Sequence, residues 1–170
     1  MVHSAHRNLW IAGAALVVAL LAVAGVLIVG ASRHGGSPAS RGEVIFQSGR
    51  DASGAVIPRS GGTTNGGMMS GGMGGGMMGG GCATCHGVDG RGRTTPTFTS
   101  PNITYGNLTD PQGMQMPDGT RGPTYTDASI KTAVTQGLDP AGSHLESPMP
   151  QWHLTDPEWT DLLAFLKTLH

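Results

Sequence analysis

The chain has 170 residues, room for one modest domain, and its 29 glycines, with only 5 % aromatic and 12 % charged residues, imply that part of it is too poor in core-forming side chains to pack. Every Asp and Glu lies after residue 42, where seven Lys and Arg face eleven acidic residues, a balance of −4; this excludes a nucleic-acid partner, which needs clustered positive charge, and suits a protein partner with a basic face. Two cysteines three positions apart are too few and too close for a disulfide framework.

Residues 1–8 form a short N-terminus that precedes an uncharged run of small and aliphatic residues at 9–29. A helix of that length rises about 30 Å, the thickness of the hydrocarbon layer, so a single transmembrane helix is expected. The competing reading is a signal peptide cleaved before Ser32, but the apolar run is longer than such segments need. Arg7 on one side and Arg33 and Arg41 on the other leave the orientation undecided by charge. Residues 30–41, rich in Gly, Ser and Pro, read as a flexible tether.

Gly42-Glu43-Val44-Ile45-Phe46 opens the foldable region and fits a helix or a strand equally by periodicity. An insertion at about 50–81 follows, and its part from 61 to 81 is mostly glycine with five methionines. Regular structure there would cost too much backbone entropy, so a loop is expected. Its plain reading is low-complexity filler, and its sharper one is a soft thioether site for Cu(I).

Cys82-Ala83-Thr84-Cys85-His86 has the spacing of a haem c attachment site. One helical turn between the cysteines lets two thiols reach two vinyl groups on one macrocycle edge, and His86 can then offer its imidazole to the iron. Two other chemistries compete. A structural zinc site wants four Cys or His ligands, and no second cysteine pair exists. A redox dithiol expects a βαβ context, whereas flexible glycine precedes this CxxC. Haem attachment to paired thiols takes place outside the cytoplasm, so this motif supplies the orientation that charge does not: the domain is expected on the periplasmic side.

Thr126 or Asp127 can cap a helix that runs through Ile130, Ala133 and Val134 to a stop at Gly137. Thr155 and Glu158 have capping-box spacing, Pro157 suits a first turn, and Trp159, Leu162, Leu163, Leu166 and Leu169 form one apolar stripe. Between these helices, Met149 stands in Ser147-Pro148-Met149-Pro150, where flanking prolines restrict the backbone. A thioether opposite histidine favours ferrous iron, which makes Met149 the candidate sixth ligand, with Met116, His144 and His153 as rivals.

Over residues 42–170 these features resemble the class I cytochrome c family. Cys82 to His86 followed by Gly87 and a Gly90/Gly92 turn is similar to the family's attachment site, and Met149-Pro150-Gln151-Trp152 to its Met-Pro-x-aromatic loop. The resemblance implies an all-α fold: a small cytochrome c-like helical domain wrapped around one covalent haem c, here preceded by the N-terminal transmembrane helix. It implies that residues 42–46 are the first helix, where Gly42 admits the terminal helix and Phe46 packs on Leu162, Phe165 and Leu166. It also implies that a proline carbonyl, of Pro101 or Pro96, accepts a hydrogen bond from His86. The insertion before Cys82 departs from the family pattern. The function implied is one-electron transfer without substrate chemistry, by a single-pass protein of the bacterial inner membrane with its haem domain in the periplasm. Two alternatives stand: the electron-entry subunit of a larger oxidase or reductase, and a copper-handling protein using the methionine loop.

Overall fold

The computed structural model describes residues 35–61 and 80–170. The expected anchor at 9–29 and the glycine- and methionine-rich residues 62–79 lie outside them. No helix among the described residues is long and apolar enough to cross a membrane.

The ambiguous segment at 42–46 is helical, within α1 (Pro38–Ser48). This helix takes over at Pro38, inside the stretch 30–41 read above as a tether. Ser37 caps it, its hydroxyl accepting from the amide of Ser40 at 3.2 Å, and proline occupies the first turn, where its missing N–H costs nothing. A long-range contact completes the reason: Arg41 Nε and Nη2 each donate to the Asp161 carboxylate at 2.7 Å.

The helix Tyr105–Leu108 (α3) is a single turn, and α4 (Asp127–Gln136) and α5 (Asp156–Leu166) are the longer ones. Thr126, not Asp127, caps α4, through a capping box with Ser129, and Gly137 ends it in the left-handed conformation. The Thr155/Glu158 box starts α5, with proline in its first turn. Trp159, Leu162 and Leu166 from the expected stripe are buried, Leu163 and Leu169 pack at its margin, and Leu169 lies past the helix end.

The core forms where α1 crosses α5. Gly42 makes this crossing possible: a Cβ there would stand 1.9 Å from the backbone oxygen of Asp161 and 2.8 Å from the Phe165 Cβ. Phe46, fully buried, meets Phe165 with ring centroids 5.2 Å apart at 52°, an arrangement that aromatic pairs favour. Leu162 and Leu166 close the same cluster. On the opposite flank the Tyr105 hydroxyl and the Lys167 ammonium both donate to Asp127, at 2.8 and 2.7 Å, linking α3, α4 and the end of α5.

The fold is helical, though not purely α as expected. Two short antiparallel ladders pin its loops: β1 (Arg59–Ser60) with β4 (Gln151–Trp152), and β2 (Arg93–Thr94) with β3 (Thr99–Ser100). With two residues per strand they form no layer. They arise because a loop that must pass close to the core satisfies its backbone polar groups on its neighbour.

Candidate haem attachment site

The motif at 82–86 is one helical turn, α2 (Ala83–His86). The amide of His86 donates to the Cys82 carbonyl at 2.9 Å and that of Cys85 to the same oxygen at 3.2 Å, so the two cysteines and the histidine are set by a single turn, as their spacing predicts. The chain enters this turn at a fixed point. A Cβ on Gly81 would lie 2.2 Å from the Phe46 carbonyl oxygen, and the Gly81 amide donates to the Gln47 carbonyl at 3.3 Å, so Cys82 begins directly against the C-terminal end of α1.

Both cysteines are free and half-buried. Desolvation pushes the Cys82 thiol up to about 12, which leaves it protonated at neutral pH. A redox dithiol needs the reverse, a thiol pKa pulled down toward neutrality. Among the described residues no cluster of three or more His, Cys, Asp or Glu able to hold a metal ion is present, whereas a structural zinc site uses four ligands.

His86 is buried at 6 % exposure. Its Nδ1 lies 2.9 Å from the carbonyl oxygen of Pro101. A carbonyl only accepts, so Nδ1 carries the proton and the lone pair is on Nε2, turned away from Pro101. The choice between Pro101 and Pro96 is thereby decided. Burial holds the imidazole below its ordinary value, against the opposing pull of the Pro101 carbonyl, which favours the neutral ring that can bind iron. The His86 carbonyl accepts from the Gly92 amide at 2.9 Å, forming the Gly90/Gly92 turn anticipated from the sequence.

The loop that delivers Pro101 is held by a residue that sequence reasoning missed. Ser100 is buried, and its hydroxyl accepts from the Arg93 amide at 3.2 Å while sharing its proton between the carbonyls of Cys85 and Arg93. It thus joins the second cysteine to the strand ending beside Pro101. A serine in a threonine-rich loop gives no sequence signal for this.

Met149 is half-buried in the loop between α4 and β4, with its amide donating to the Glu146 carbonyl at 3.2 Å. The β4 strand two residues later pairs with Arg59–Ser60, and Arg59 Nη1 donates to the Gly80 carbonyl at 2.9 Å, so the methionine loop is fastened to the segment leading into Cys82. Of its rivals, Met116 is half-buried and lines a cleft with Ser100 and Asn102, the two residues flanking Pro101. His144 and His153 are exposed, the latter with Nε2 3.1 Å from the Ser60 hydroxyl.

Two free thiols one turn apart, a protonated Cys82, and a buried histidine with its Nδ1 occupied and Nε2 available form a donor set that fits a covalently held haem. They are the candidate site of a c-type haem carrier on a small helical fold. A family model, Cytochrome c, matches residues 73–170. The chain belongs to the cytochrome c family: it is an electron-transfer protein that carries one covalent haem c with its iron. No curated protein and no solved structure matches it.

Proposed function

We propose that this protein is a membrane-tethered one-electron carrier whose domain faces the periplasm, with haem c joined to Cys82 and Cys85 and its iron held between His86 and Met149. The observation that carries the reading is the His86 Nδ1 to Pro101 oxygen contact of 2.9 Å beside two free thiols. It orients Nε2 and raises the basicity of the ring, as partners of ligating histidines do. The haem supplies the one-electron change.

The residues of the chain do the rest. The α2 turn presents both thiols from one end, Ser100 and Pro101 fix the imidazole, and the ladder of β1 with β4 fastens the loop that offers the Met149 thioether. Met149 is preferred to Met116 because the latter stands with the residues flanking Pro101, while a sixth ligand must approach from beyond Nε2. The two histidines are exposed, whereas Met149 is half-buried and would be better shielded from water as a ligand. The uncharged run at 9–29 supports the tether, and the requirement for attachment outside the cytoplasm supports the orientation.

The test uses the full chain produced with haem-maturation machinery. Intact mass should show one haem adduct, and the protein should sediment with membranes and lose that behaviour when residues 1–29 are deleted. Met149→Ala should abolish the weak far-red absorption of sulfur-ligated ferric haem and lower the reduction potential. A variant that keeps that band rejects Met149 as ligand; a chain without the adduct rejects the site. Recovery in a stable complex with a catalytic subunit would favour the electron-entry alternative. The copper reading rests on residues 62–79 and has no support among the described residues.

A further inference from the structure

Arg59, two residues before Gly61, reaches both the segment leading into Cys82 and the strand that follows Met149. Arg59 Nη1 donates to the Gly80 carbonyl at 2.9 Å, two residues before the first cysteine. Its guanidinium carbon lies 5.3 Å from the ring centre of Trp152, a residue 5 % exposed and three positions after Met149. Its backbone is paired opposite Trp152 in the β1 with β4 ladder.

The ladder itself is weak. It has two residues per strand, extended only by the His153 amide donating to the Pro58 carbonyl at 2.9 Å, and two-stranded pairings of that size are marginal alone. What it must hold is a long loop, because residues 137–150 separate α4 from β4 and are fastened at their start by the Leu145 amide donating to the Gly137 carbonyl at 2.8 Å. The guanidinium adds two contacts at the far end, a stack on Trp152 and a charge-assisted bond to Gly80. These tie the methionine loop to the cysteine-bearing segment directly.

We propose that Arg59 is a positioning residue: by bridging Gly80 and Trp152 it ties the Met149 loop to the segment leading into Cys82 and keeps that loop seated, so that it governs how easily the sixth ligand is displaced. The inference rests on Met149 being that ligand.

The experiment measures imidazole binding to the ferric, haem-loaded full chain, together with far-red absorption and melting temperature. Imidazole competes with a thioether for ferric iron, so its apparent affinity reports how firmly the native ligand is held. Arg59→Gln should raise that affinity on the order of 10-fold, since losing about 1.4 kcal/mol of loop fastening is a factor of ten. Arg59→Lys keeps the charge over Trp152 without the fork that reaches Gly80, and should fall between Arg59→Gln and the native protein. Asp161→Asn, which breaks the Arg41 pair at the α1 and α5 crossing, should lower the melting temperature while leaving imidazole affinity within about twofold, because local opening and global stability are separable.

Native affinity in both Arg59 variants, with Met149→Ala losing the far-red band, overturns this inference and leaves the ligand assignment standing. Retention of the band in Met149→Ala overturns both. If Arg59→Gln does not fold, Arg59→Lys alone decides: a raised affinity supports the role and an unchanged one rejects it.

Discussion

At the scale of single residues, the attachment site depends on groups that differ greatly in how visible they are. The single turn that holds Cys82, Cys85 and His86 is legible because it is set by local spacing, and local spacing is what a sequence displays. Pro101 is legible only as one of two prolines, since the contact that selects it closes a loop of fifteen residues. Ser100 is not legible at all. Its hydroxyl is the junction between the Cys85 carbonyl and the β2 with β3 ladder, and Ser100→Ala would leave partly buried backbone groups without that partner. Such a loss costs about 1–3 kcal/mol. The haem-loaded variant should melt at lower temperature than the native protein; an unchanged midpoint would mean that water replaces the hydroxyl and the junction is dispensable.

At the scale of elements, helices with strong end signals are readable locally, whereas the first helix, ambiguous by periodicity, is expected only through the family resemblance. The boxes at Thr126 and Thr155 place α4 and α5 because caps satisfy amides that a helix start would otherwise leave bare. The start of α1 carries the same kind of signal in Ser37-Pro38, yet the Gly, Ser and Pro around it also describe a tether. The decisive contact is with Asp161, at the other end of the chain. The α1 and α5 crossing is the element-level feature most exposed to mutation. Gly42→Ala drives a methyl group into the Asp161 carbonyl and the Phe165 side chain, and such overpacking costs about 3 kcal/mol where neither helix can shift. Val44→Ala, on the exposed face of the same helix, should cost less than about 0.5 kcal/mol. Thermal melts of the two haem-loaded variants compare them directly; equal midpoints would show that the helices separate to admit the methyl group.

At the scale of the whole molecule, charge is distributed unevenly along the domain. Residues 42–105 hold four Arg against three acidic residues, whereas residues 106–170 hold three Lys or Arg against eight, so the net of −4 arises in the second half. Several of those acids are already paired: Asp110 with Arg121, Asp127 with Lys167, Asp156 with Lys131 and Asp161 with Arg41. Asp139 and Glu146 are not in such pairs among the described residues, and both lie in the loop that carries Met149. We propose that this acidic loop meets a redox partner of basic surface. Association with such a partner should slow as salt rises, because the screening length falls from about 30 Å at 0.01 M to about 10 Å at 0.1 M. Glu146 is exposed, so Glu146→Gln removes a rim charge with little effect on the fold, and should reduce the association rate roughly twofold at low salt while flattening its salt dependence. Stopped-flow electron transfer with a cationic cytochrome partner, measured across ionic strength for the native chain and the variant, separates the possibilities: a rate that rises with salt, or a variant indistinguishable from the native protein at low salt, places docking away from the methionine loop.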